Sequence, residues 1–275
     1  MKKMRRMCCL LLAVLMLITV TGCGREEAPQ SFEYTKTETA YHADSENLQV
    51  TIEVGCLEDE NDRDWAVYDL QQAYLSASDF LGEAVSTGGP IRCMIYAGDG
   101  LSQVQPEGLD IYYYETVQQP YVNYMIQALM GLDAPDWLRE GLAAYGADQA
   151  DESLLDSYAS GIEALDAFRV EEEAEAEAVT ADITSLAVSL YTAGVQEDAI
   201  QLGDLLQATS QLESAEEAAQ YRGAYCIYAG SFVAYLAEEK GLDAVLKVYQ
   251  GEEFDAVMGQ SLKAAKQAWI TNTLG

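Results

Sequence analysis

Residues 48–56 read LQVTIEVGC, apolar and polar in near alternation and rich in β-branched side chains, so the pattern predicts a strand with one buried face. The period then changes. Ala66, Leu70, Ala73, Ala77, Phe80 and Leu81 recur at helical spacing, predicting a helix over 62–81 with Gly82 as its C-terminal cap. After a Gly-Gly-Pro turn, 91–97 (IRCMIYA) and 109–115 (LDIYYYE) read as two further strands. Two short helices follow at 120–130 and 135–145, each with a proline in its first turn and the first closed by Gly131.

Beyond Ala147 the pattern is wholly helical, with helices expected at 183–206, 215–239, 242–250 and 261–273. Gly241 and Gly259 punctuate them, and Ser261 is placed to cap the last. The acidic run VEEEAEAEA at 170–178 reads as a solvated loop or exposed helix, since it lacks the tight glycine turn of a calcium loop. No internal repeat is present. The order of elements is α+β, a small α/β unit (46–147) followed by a helical unit (148–275).

The start of the chain reads differently. Lys2, Lys3, Arg5 and Arg6 precede an apolar run at 10–20 that is short for a membrane-spanning helix. It ends in Val20-Thr21-Gly22-Cys23, which resembles the lipobox of bacterial lipoproteins, where the cysteine is diacylated and becomes the new N-terminus. That resemblance makes 1–22 a signal peptide, Cys23 the lipidated residue, and the polar 23–45 a tether. It implies a cell-membrane protein, lipid-anchored on the extracytoplasmic face, because two acyl chains hold a protein stably where one would be marginal. An ordinary secretory signal with a chance cysteine is the plainer alternative.

Charge narrows the partners. The chain carries 46 acidic residues against 15 basic ones, four of which lie before Cys23. Such a surface repels nucleic acid and anionic headgroups, so the membrane partnership is expected to run through lipidated Cys23. Among the other cysteines, Cys56 ends one predicted strand and Cys93 lies within another. A Cys56–Cys93 bridge and a set of free thiols including Cys226 are both open.

The stretch Pro135-Asp136-Trp137-Leu138-Arg139-Glu140-Gly141-Leu142-Ala143-Ala144-Tyr145 resembles the second active-site helix of gluzincin metallopeptidases, the peptidase-MA-like, thermolysin-like clan. The helical tail is similar too, through Tyr228 to Leu236, Lys240-Gly241-Leu242, Met258 to Leu262 and Trp269. The resemblance implies a mixed sheet with an edge strand above a two-helix active-site unit. It places Tyr112, Tyr113 and Tyr114 on that edge strand, where an extended peptide could add as a further strand.

In that clan the first helix carries two histidines four residues apart on one face, with a glutamate general base after the first. The glutamate of the second helix is the third zinc ligand. Aligned on the first helix, those positions are Asn123, Tyr124 and Gln127, and the third ligand is Glu140. Amide oxygens suit zinc poorly, a phenol with a pKa near 10 is no base at neutral pH, and no register brings a histidine to this helix. The chain's one histidine, His42, lies before the first predicted strand. No zinc or other cofactor is expected, and the amides of Asn123 and Gln127 are expected to donate to Glu140 instead. A solvent-exposed Glu140 without a role is the simpler alternative.

The leading expectation is therefore an anchored lipoprotein of gluzincin-like fold, inactive as a peptidase and acting as a binding module for a peptide or protein. An active metal-dependent peptidase with a non-standard site is the alternative. A solute-binding lipoprotein ranks third, because such proteins show two α/β lobes.

Overall fold

The computed structural model describes residues 28–82, 89–98, 102–113, 121–168 and 181–275. Within them the chain is mixed α+β, with a six-stranded sheet and a helical C-terminal part. The strands are β1 (Thr35–Lys36), β2 (Ala40–Asp44), β3 (Leu48–Glu53), β4 (Ile91–Tyr96), β5 (Gln103–Gln105) and β6 (Gly108–Tyr112), in spatial order β1-β2-β3-β4-β6-β5. β3, β4 and β6 run parallel, while β1, β2 and β5 are antiparallel to their neighbours.

The parallel pairing of β3 with β4 requires a crossover, which helix α1 (Glu60–Leu81) supplies. Leu48, Val50 and Ile52 alternate inward along β3, and Cys93, Ile95, Leu109 and Ile111 extend the layer on β4 and β6. Against it α1 buries Ala66, Val67, Leu70, Ala73, Ala77 and Leu81. Asp59 caps the start of α1, and Gly82, at φ 58°, ends it.

Helices α2 (Tyr121–Met130) and α3 (Asp136–Gln149) follow, then the single turn α4 (Leu154–Tyr158). The C-terminal part is built around α7 (Ala215–Lys240), which a Ser214–Glu217 capping box opens. From Gly223 to Val233 every residue of α7 is buried, so this middle stretch is enclosed on all sides rather than amphipathic, while the charged residues lie toward the two ends. Around it lie α5 (Ile183–Ala193), α6 (Leu205–Thr209), α8 (Leu242–Tyr249), α9 (Phe254–Met258) and α10 (Leu262–Trp269). Trp269 packs on Phe232 and Tyr228, and Trp137 on Phe232 and Phe254, which ties α3, α7, α9 and α10 together.

Glycine sets how closely α3 and α7 approach. A Cβ on Gly141 would stand 2.6 Å from the Ala229 carbonyl oxygen, well inside van der Waals contact. The glycine after Glu140 is thus a packing residue.

Three expectations are corrected. The tether was expected to reach residue 45, but β1 and β2 lie within it and extend the sheet. His42 accordingly sits inside β2, its Nδ1 3.1 Å from Thr51 Oγ1 on β3, and not in a linker. The helix expected at 183–206 is broken, because Gly194 turns left-handed after α5 and Gln196 and Leu202 also take positive φ. Among the described residues no helix is long and apolar enough to cross a membrane. Cys23, the acidic run at 170–178 and Tyr114 lie outside the described residues.

Candidate functional site

Asn123 and Gln127 are one turn apart on α2, so both side chains leave the same face, and both are buried. Glu140, on α3, is buried opposite them, with 3% of its surface exposed. The three predicted positions therefore converge. Gln127 Nε2 donates to Asn123 Oδ1 at 3.0 Å and to Glu140 Oε2 at 3.4 Å. Asn123 does not reach the carboxylate as expected: its amide nitrogen donates to the Tyr158 hydroxyl at the end of α4. The expectation of two amides on one carboxylate is thus half met, because a phenol competes for the second.

Two guanidinium groups complete the surroundings of Glu140. Arg139 Nη2 lies 3.3 Å and Arg222 Nη2 3.4 Å from Oε1. Arg139 also grips Asp136 at 2.7 Å, and the other oxygen of Asp136 accepts from the Leu205 N–H at 2.8 Å. Arg222 comes from α7, as does Cys226 one turn later, whose thiol donates to Glu140 Oε2 at 3.8 Å. Burial is the largest influence on both arginines and opposes their charge, but the neighbouring groups together outweigh it, Glu140 foremost and Asp136 beside it for Arg139, and both are raised above their usual range. Burial and then Glu140 push the Cys226 thiol well up, so it stays protonated.

The start of α2 is held by a third carboxylate. Glu152 accepts from the backbone N–H groups of Val122 at 3.0 Å and Asn123 at 3.3 Å, donors that a helix leaves unpaired in its first turn. This contact fixes the angle at which Asn123 enters the cluster. Burial nonetheless raises Glu152 to about 7, its backbone bonds pulling the other way. Tyr124, which the resemblance aligns with a general base, is raised by burial first, so it remains a phenol at neutral pH and cannot accept a proton.

The donor set does not fit zinc. Glu140 Oε1 faces two guanidiniums and Oε2 faces an amide and a thiol, so the carboxylate is already neutralised and bonded on both oxygens. A divalent cation placed there would stand beside two fixed positive charges. Among the described residues no cluster of three histidine, cysteine or acidic side chains is placed to hold a metal ion.

Other predicted positions are displaced. Tyr112 is not on an edge strand: β6 is flanked by β4 and β5, and the edge belongs to Gln103–Gln105. Its ring stacks on Tyr96 at 5.2 Å, and its N–H donates to Ser102 Oγ at 2.9 Å. The Tyr113 N–H donates to the Tyr96 carbonyl oxygen at 3.3 Å. Cys56 and Cys93 are both free thiols, as is Cys226. Register explains this, since Cys93 pairs with Val50 while Cys56 bonds the Tyr96 carbonyl oxygen three residues further along β4. At a rise near 3.3 Å per residue that is about 10 Å, beyond the reach of a disulfide.

Sequence reasoning did not anticipate Arg139, Arg222, Cys226, Tyr158 or Glu152. A signal existed for Arg222, which is one of only 15 basic residues and stands between Tyr221 and Gly223 at the edge of an apolar helix run. Comparison with family models, with curated proteins and with solved structures finds no match.

Proposed function

We propose that this chain is a membrane-anchored extracytoplasmic lipoprotein on a gluzincin-like scaffold, without peptidase activity, that serves as a binding or interaction module. The observation that carries the reading is the neutralised Glu140. The one carboxylate retained from the metallopeptidase pattern is bonded on both oxygens by Arg139, Arg222, Gln127 and Cys226. A peptidase needs that carboxylate on a metal and an open water position beside it. Here the same place is filled by charge-assisted hydrogen bonds, which hold α2, α3 and α7 in a fixed arrangement. The scaffold then offers a rigid surface for recognition and no reaction centre. Among the described residues the sheet ends in β1 and β5, and on the side of the tyrosine strand the edge for an extended peptide is β5.

The test is a screen of the purified protein against a broad peptide library with zinc, manganese, magnesium or calcium added. The reading expects no cleavage above a heat-treated control. Metal-dependent cleavage that Glu140→Ala abolishes would overturn it and establish a non-standard metallopeptidase.

A further inference from the structure

We infer that the N-terminal end of α1 faces the lipid bilayer and that the domain is held against it by about five residues of chain rather than by a long tether. This rests on the lipid-anchor reading and adds an orientation to it.

The chain is docked well before its first strand. The Ala28 N–H donates to Asn61 Oδ1 at 2.7 Å, and the Phe32 N–H and Tyr34 hydroxyl both donate to Asp64 Oδ1, at 3.2 and 2.8 Å. Between these contacts and the sheet, Arg63 lies over the Tyr34 and Tyr41 rings, 5.5 and 4.2 Å from their centroids. Arg63 is itself fixed by the Leu57 and Glu58 carbonyl oxygens. Five residue steps separate Cys23 from Ala28, and five steps span at most about 18 Å in any conformation. Acyl chains on Cys23 therefore place Ala28 and Asn61 close to the headgroups.

The neighbouring surface suits that position. Asn61, Trp65, Tyr68, Gln72 and Leu75 follow one another along a single face of α1 at spacings of three and four residues. These five are uncharged, while acidic residues border them, Asp62 and Asp69 beside Trp65 and exposed Asp79 one turn beyond Leu75. Trp65 and Tyr68 meet edge to face at 5.9 Å, and Leu75 is 55% exposed. Tryptophan and tyrosine favour the membrane–water boundary, where ring and polar tip each find a suitable medium. Asp59, Glu60 and Asp62 lie at the same end of α1 and would be repelled by anionic headgroups. The surface that fits is a zwitterionic bilayer.

Trp65 is the one tryptophan on α1, with Trp137 on α3 and Trp269 on α10, so the difference between wild type and Trp65→Phe isolates the donor on this face. Full-length lipidated protein would be reconstituted in phosphatidylcholine vesicles carrying dansyl-labelled headgroups. Energy transfer would be read for wild type, for Trp65→Phe, and for a chain with a Gly/Ser insert of about 20 residues between Glu26 and Glu27. Such an insert adds a root-mean-square reach of roughly 25 Å while leaving the docked contacts intact. The expected result is strong transfer that Trp65→Phe largely removes and the insert weakens severalfold. Transfer equal with and without the insert, or unaffected by Trp65→Phe, would overturn the orientation while leaving the anchor standing. If wild type does not partition with the vesicles, or Cys23→Ser partitions equally well, the anchor reading fails and the orientation falls with it.

Discussion

Arg222 and Glu140 lie 82 positions apart, yet Nη2 of the arginine stands 3.4 Å from Oε1 of the glutamate. This contact joins α7 to α3 at the point where the two helices enclose the Asn123–Gln127 face of α2. Arg139 stands 3.3 Å from the same oxygen, so two guanidinium groups from different helices share one buried carboxylate.

The two arginines should not be equivalent. The side chain of Arg139 is 19% exposed and that of Arg222 62%, while the side chain of Glu140 is 4% exposed. Arg139→Ala should therefore lower stability by about 2–4 kcal/mol, as breaking a largely buried pair does. Arg222→Ala should cost about 1 kcal/mol or less, because water already screens it. Urea unfolding of both variants checks the order, and Glu140→Gln should reduce the cost of Arg139→Ala in a double-mutant cycle.

Gly141→Ala should be more damaging than an ordinary surface substitution in a helix. The added Cβ would meet the Ala229 carbonyl oxygen at 2.6 Å and Val233 Cγ2 at 2.8 Å, forcing α3 away from α7. A loss of about 2–3 kcal/mol is expected, despite the better helix propensity of alanine. A thermal midpoint at or above that of wild type would show that the two helices are not in such close contact.

Stability should depend on pH through Glu152. Its pKa is raised to about 7 by burial, against an ordinary carboxylate value in the unfolded chain. Folding then takes up a proton, so the contribution is fully present below about pH 4.5 and is lost as pH rises through 7. Asp148 is raised in the same direction by burial and steepens the lower part of that fall. The decline from pH 5 to 7.5 should be on the order of 2 kcal/mol, and Glu152→Gln should flatten most of it. Denaturant midpoints across that range measure both slopes.

Thiol chemistry gives an independent check on register. Burial raises Cys56 to about 11 and Cys93 to about 12. At pH 8 the folded protein should react slowly with a thiol reagent, with half-buried Cys56 first. Denaturation without reductant should release the three thiols of Cys56, Cys93 and Cys226. Recovery of Cys226 alone would mean that the first two are bridged.

Much of this architecture is legible locally. The alternation of β3, the helical spacing of α1 and the proline-led starts of α2 and α3 each lie within one stretch of chain and follow from burying one face. Glu140 was also legible, since its motif is local. What was missed depends on distant partners. Ala40–Asp44 carries no β-branched residue and becomes a strand only because β3 offers its backbone. Gln103–Gln105 is too short to show a period and takes the edge that a run of tyrosines had suggested. Arg222 and Tyr158 reach the cluster from α7 and α4, whose placement no pattern near Asn123 encodes. The bond of Asn123 to Tyr158 instead of Glu140 follows from that placement.

The central claim is that Arg222 and Arg139 stand where a metallopeptidase scaffold would hold its metal, with Asn123 and Gln127 in the histidine positions. Zinc titration of wild type beside the variant Asn123→His/Gln127→His/Arg222→Ala, with folding checked by circular dichroism, tests it most directly. The variant supplies two imidazoles one turn apart facing Glu140 and removes one guanidinium, the donor set that zinc prefers. The account predicts stoichiometric zinc in the folded variant and none in wild type. A folded variant that takes up no zinc, or wild type that binds it stoichiometrically, would contradict the account.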